Sequence, residues 1–165
     1  MNNFVIEQTK DESQLAISLH QNAELGGIRL ASAKVTGDSP NSVIKEPILV
    51  SMDIKAKHIK DAKGKLVIEV CFRLTGVKKS DPSKDKAVLC IECAFEASYH
   101  LKAGFEPTEE QIKAFKDGNA IFNCWPYHRQ YVQDVILRMG YPAITLPFLR
   151  VVTKQQKKRN SSNSN

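Results

Sequence analysis

The chain contains no apolar run near the ~20 residues that a membrane helix needs. A protein without membrane insertion is therefore expected. It shows no charged-then-apolar leader with a small-residue cleavage site, so a cytoplasmic location with reduced thiols is expected. It carries no Walker loop, no GxGxxG, no GxSxG and no HExxH. Nucleotide hydrolysis, hydride transfer, serine hydrolysis and zinc proteolysis each lose their usual signature. Cysteine is sparse: Cys71, Cys90, Cys93 and Cys124. Cys90 and Cys93 form a CxxC, but on a strand positions three apart point to opposite faces. No second Cys or His pair stands at ligand spacing, so small buried thiols are expected rather than a metal or redox centre. The histidines His20, His58, His100 and His128 have no neighbours that suggest a triad. Neither an enzyme nor a cofactor is expected, and the chain has no internal repeats.

Positive charge is in excess. Lys and Arg number 24 against 18 acids, a net charge of +6. Such a balance suits nucleic acid, acidic membrane surfaces or acidic partners. Part of the excess is local, since "TKQQKKRN" holds Lys154, Lys157, Lys158 and Arg159. The stretch 153–165 is basic, then rich in Ser and Asn, and is expected to be disordered. The 165 residues suffice for one domain with a single core.

Hydrophobic periodicity supplies the elements. "KDESQLAISL", 10–19, predicts a short helix ended by Gly26 and Gly27. "IRLASAKVTG", 28–37, predicts a strand, and "GDSPNS" a loop. Three longer stretches alternate with period two. In "PILVSMDIKAKHI" the even residues Ile48 to Ala56 are apolar. In "KLVIEVCFRLTG" they are Leu66, Ile68, Val70, Phe72 and Leu74. In "AVLCIECAFEASYHL" the odd residues from Ala87 to Tyr99 are apolar, with Glu92, Glu96 and Ser98 facing away. Half-buried antiparallel strands follow, joined by turns at "KDAKGK" and "KKSDPSKDK". "EPTEEQIKAFKDG" predicts a short helix capped by Thr108 with Gln111 three residues on, and closed by Gly118. "NCWPYHRQYVQDVILRMG" predicts a long helix with Pro126 in its first turn and Gly140 at its end. "AITLPFLRVV" after it is extended. The order gives an α+β fold, with helices on one face of an antiparallel sheet.

Two clusters invite functional readings. Trp125, Tyr127, His128, Arg129 and Tyr131 could stack bases, but packing of the helix on its sheet or on a second subunit is the simpler use. Glu92 and Glu96 share one strand face without forming a catalytic pair. The amphipathic strands, the two helices and the strip offer more apolar surface than one subunit hides, which marks a binding protein.

The stretch "NAIFNCWPYHRQYVQDVILRMGYPAITLPFLRV" resembles the C-terminal signature of the SecB family of export chaperones. Trp125–Pro126–Tyr127 and Arg129 match its aromatic–Pro–Tyr and Arg. Gly140, Pro142, Leu146 and Pro147 match the break and the Pro-containing strip. The strands around "KLVIEVCFRLTG" and "AVLCIECAFEASYHL" are similar to the family's central strands, so the resemblance runs from about Pro47 to Val152. It implies a SecB-like α+β fold: an antiparallel four-stranded sheet, with a short and a long C-terminal helix packed on one face. It divides the chain into an N-terminal extension 1–27, a chaperone domain 28–152 and the basic tail 153–165. It implies a homotetramer, a dimer of dimers, that holds unfolded preproteins without ATP and delivers them to SecA. Client-binding residues would be Trp125, Tyr127, Ile144, Leu146, Phe148 and Leu149. Val88, Cys90, Tyr131, Val135 and Met139 would lie at oligomer interfaces, and Glu92 would dock SecA. The family is acidic, whereas this chain is basic. Its SecB-like branch that serves an antitoxin of a toxin–antitoxin system is thus an alternative. A basic nucleic-acid-binding module is the alternative of a different class, with nucleic acid the less favoured partner.

Overall fold

The computed structural model describes residues 4–43, 45–59, 64–83 and 87–154. Its elements run β1 (Phe4–Gln8), α1 (Lys10–His20), β2 (Ala23–Gly37), α2 (Pro40–Val43), β3 (Ile48–Ile59), β4 (Lys65–Lys78), β5 (Ala87–Leu101), α3 (Glu109–Phe115), a π-helical turn (Lys116–Ala120), α4 (Ile121–Arg138) and β6 (Leu149–Thr153). Strands β2 to β5 form one antiparallel sheet in the order β2-β5-β4-β3. The fold is α+β, as the period-two stretches and the two capped helices predict.

The alternation sorts the sheet into two faces. Leu66, Ile68, Val70, Phe72 and Leu74 of β4 are buried, as are Leu89, Ile91, Cys93, Phe95, Ala97 and Tyr99 of β5. Against them α4 lays Ile121, Cys124, Trp125, His128, Val132 and Ile136, spaced three and four apart on one helical stripe. Burial of this set supplies the hydrophobic driving force, at about 25 cal/mol per Å² of apolar surface. Cys90 and Cys93 point to opposite faces, one half-buried and one in the core, and all four thiols are free.

Helices α1 and α3 both begin with capping boxes, of which the sequence predicts the one at Thr108. Thr108 accepts from the Gln111 amide while Gln111 returns to the Thr108 amide. Thr9 and Glu12 do the same for α1, one residue before the stretch 10–19 that predicts the helix. At the far end of α4, Gly140 adopts φ +76 and Tyr141 N–H reaches back to Ile136 O.

Four expectations are corrected. Helix α1 ends at His20, and Gly26 and Gly27 lie inside β2, at a bulge between Leu25 and Gly27. Strand β2 begins at Ala23, so the boundary drawn at residue 28 falls within it. Gly118 does not close a helix. It sits in the π-helical turn that joins α3 to α4, where a Cβ would meet Gln8 Nε2 at 2.5 Å. A larger residue there would have to displace the Gln8 amide from its bond to Ala114 O. Pro126 stands six residues into α4, not in its first turn. Its missing N–H leaves the Phe122 carbonyl without its helical donor, yet α4 runs through it to Arg138.

The extended strip after α4 ends in β6, which pairs in parallel with β1. Nothing in the sequence announced β1. The turn residues 60–63 and 84–86 and the tail from residue 155 lie outside the described residues.

Candidate functional site

The strip from Tyr141 to Pro147 has no regular secondary structure, so its carbonyls need partners other than a ladder. Two residues of α4 one turn apart supply them. Trp125 Nε1 donates to Pro147 O at 3.1 Å, and Arg129 Nε donates to Leu146 O at 3.0 Å. The aromatic–Pro–Tyr–x–Arg pattern is thus a clamp: positions 125 and 129 face one way because a helix repeats every 3.6 residues. The Arg129 guanidinium also lies 4.7 Å from the Phe148 ring centroid, which gives a cation–π contact.

The clamp fixes what the strip shows. Leu146 and Leu149 are buried, Ile144 is half-buried, and Phe148 is 74% exposed. Trp125 is in the core, 5.2 Å from the Phe4 ring and 6.0 Å from Phe72. Of the six residues grouped as client-binding, Phe148 and Tyr127 present large surfaces in this chain. Trp125, Leu146 and Leu149 hold the strip in place. A narrow cleft of about 160 Å³ runs between α4 and the strip, lined by Arg129, Gln133, Ile144 and Leu146. A wider one of about 350 Å³ is lined by Ile17 of α1, Phe122 of α4 and Val151 of β6. Ile17 and Phe122 are each more than half exposed. Sequence reading missed both, because they stand off the buried faces of their helices.

The residues grouped as interface separate into two places. Tyr131, Val135 and Met139 form a half-buried stripe along α4, with Tyr131 edge-on to Phe95 at 6.4 Å. Val88 is buried within the chain, and Cys90 is half-buried on the opposite face of the sheet.

That opposite face is charged. Arg29–Glu96 and Lys57–Glu69, the second at 2.7 Å, flank the row Arg29, Glu96, Glu69, Lys57 across the four strands. The next ion-paired row runs Lys34, Glu92, Arg73, Asp53, with Arg73 Nε 3.3 Å from Glu92. The Lys57 ammonium, hydrogen-bonded to Glu69, holds that carboxyl below the usual range. Between the rows lies a shallow concavity of about 660 Å³. Glu92, the docking residue implied by the resemblance, is thus engaged with Arg73 and faces Lys34.

His128 is the least expected member of the core. It is fully buried, stacked on Phe72 with centroids 4.2 Å apart and planes within 8°. Its Nδ1 lies 3.3 Å from Cys93 Sγ, and its Nε2 has no partner among the described residues. Burial pushes its pKa down to about 4 and pushes the Cys93 and Cys124 thiols up to about 12. The pair is neutral at physiological pH, which suits packing and not proton transfer. Among the described residues no group of three His, Cys, Asp or Glu could hold a metal, and no helix is long and apolar enough to cross a membrane.

A four-stranded antiparallel sheet backed by a long C-terminal helix makes this an α+β fold of the SecB-like type. The solved structure of the Mycobacterium tuberculosis Rv1957 SecB-like chaperone, in complex with a ChAD peptide from the Rv1956 HigA1 antitoxin, has this fold. It superposes with a TM-score of 0.70 at 21% identity, covering 84% of this chain and 99% of that one. In sequence the chain is 37% identical over 70 residues to the SecB-like chaperone Rv1957 of M. tuberculosis strain ATCC 25618 / H37Rv. It matches the SecB-like chaperone MT2006 of strain CDC 1551 / Oshkosh equally. The match spans 42% of this chain and 39% of each relative. No family model matches the chain. The chain is SecB-like in fold and, over that stretch, in sequence.

Proposed function

We propose that this protein is a chaperone that holds an unstructured polypeptide segment without nucleotide, and that its client is of the antitoxin type. The observation that carries the reading is the clamped strip. A backbone pinned by Trp125 and Arg129 displays Phe148 at 74% exposure, and β6, which follows it, contributes Val151 to a cleft edged by Phe122 and Ile17. Exposed aromatic and β-branched groups on a rigid support suit many small apolar contacts with an extended chain. The likeness to a SecB-like chaperone seen with an antitoxin peptide supports such a client better than it supports preproteins bound for export. The engaged Glu92 and the balanced charge of the outer sheet face also favour this reading over docking of SecA. The half-buried stripe Tyr131–Val135–Met139 suits packing against a second copy, and a tetramer in the cytoplasm is the expected assembly.

The test is aggregation suppression of a thermally unfolded model protein, with binding of antitoxin-derived and preprotein-derived peptides measured in parallel. Nucleotide-independent suppression with preference for the antitoxin peptides is expected, from a tetramer by light scattering. A monomer that neither suppresses aggregation nor binds either peptide would overturn the reading. Retention by nucleic acid that falls steeply with salt would favour the basic-module alternative.

A further inference from the structure

We propose that the β1–β6 ribbon is a strand-binding site whose resident occupant is the chain's own β1. Its ligand is an extended partner segment with large apolar side chains at alternating positions. The inference rests on the peptide-holding reading above and names the place and chemistry of the contact. Strand β1 already behaves as such a ligand. Phe4 and Ile6 turn inward, half-buried, while Val5 and Glu7 turn out. Phe4 packs on Trp125, and the register Phe4–Leu149 to Gln8–Thr153 sets five residues beside β6.

The ribbon is separate from the four-stranded sheet. A two-stranded ribbon of this length is marginal without further packing. Its firm anchor is at one end. Gln8 Nε2 donates to Ala114 O at 2.8 Å, Lys154 N–H donates to Gln8 O at 2.7 Å, and Lys154 Nζ pairs with Glu7 at 2.6 Å. Among the described residues the Phe4 end is held by apolar packing of Phe4 and Ile6 and by ladder bonds. Peeling from Phe4 toward the Gln8 latch would leave α1 intact, because its capping box begins at Thr9. It would bare the β6 backbone edge and the Trp125 face together. Unpaired strand edges bind extended chains by main-chain hydrogen bonds, and alternate side-chain pockets give the specificity.

The experiment locks β1 in place. Val5 and Arg150 are opposite one another and both point outward. Neighbouring strands stand at a separation compatible with a disulfide. Val5→Cys/Arg150→Cys is made in the full chain with Cys71→Ser and Cys90→Ser, so that no other partly exposed thiol competes. The probes are a labelled synthetic peptide with alternating Phe and Ile, and a permanently unfolded carboxymethylated protein. The reduced form should bind as the parent does, and the oxidised form roughly tenfold or more weaker, because the competent population is removed. Phe4→Ala should tighten apparent binding. Equal affinity of oxidised and reduced forms, with the parent binding, would overturn the inference and leave the chaperone reading standing. No binding of either probe by the parent would overturn both.

Discussion

The four-stranded sheet and the β1–β6 ribbon are built from the same ladder bonds under opposite conditions. The sheet has strands of 12 to 15 residues, with one face filled by α4 and the other laced by cross-strand ion pairs. The ribbon has two strands of five residues, and β6 is mostly exposed beyond Leu149. Burial, more than hydrogen bonding, separates them, since a ladder bond nets only about 1 kcal/mol once water is counted. A rigid frame beside a weakly held strip is the arrangement expected where binding and mobility are needed together.

The frame should therefore fail hardest at its densest point. Phe72 is buried at the centre of β4, stacked on His128 and packed against Phe95 and Trp125. Phe72→Ala should cost about 3–5 kcal/mol, a large share of the 5–15 typical of a domain. Urea unfolding followed by Trp125 fluorescence measures it. A loss below about 1 kcal/mol would mean that the sheet is no better packed than the ribbon.

His128 makes the frame acid-sensitive. Burial lowers its folded pKa to about 4 from the ordinary 6.5, so between those pH values the unfolded chain binds a proton that the folded chain excludes. Stability is full above about pH 6.5 and falls as pH drops toward 4. The shift is worth roughly 3 kcal/mol at 1.36 kcal/mol per pH unit. His128→Phe should flatten that part of the stability–pH curve, and an unchanged slope would show that other groups cause it. The ribbon contains no buried histidine and should not follow.

Trp125→Phe keeps an aromatic ring against Phe4 but removes the donor to Pro147 O. A loss of about 1 kcal/mol is expected, with faster hydrogen exchange from residue 146 to 149 and unchanged exchange in β4 and β5. Equal acceleration in β4 and β5 would tie strip and frame into one unit.

The same contrast explains what could be read from the residues. Strands β3 to β5 were legible because their period-two pattern extends over a dozen residues, and the Thr108 cap because its box is local. The clamp was half legible. Trp125, Pro126, Tyr127 and Arg129 stand out as a motif, and packing of their helix is the simpler reading, but the carbonyls that Trp125 and Arg129 bind lie some 20 residues on and no local pattern points to them. Strand β1 was not legible. "FVIEQ" is too short to tell strand from helix, and its partner lies 145 residues away by the Phe4–Leu149 pairing. Nor was the burial of His128 legible, because no local signal says that Phe72 and Cys93 close over it.

The smallest effect belongs to the outer face. Glu92 sits 3.3 Å from Arg73, with both side chains substantially solvent-exposed. Exposed pairs contribute about 0–1 kcal/mol, because water and salt screen them. Glu92→Gln should shift stability by less than about 0.5 kcal/mol and leave peptide binding unchanged, since the carboxylate lies on the face of the sheet opposite α4 and its clamped strip. Denaturation and peptide titration on one preparation test both halves. A neutral result on each would confine the outer face to solubility and strand register. Loss of peptide affinity with stability intact would instead mean that a client reaches across the sheet edge onto the charged rows, and the division between frame and binding strip would have to be redrawn.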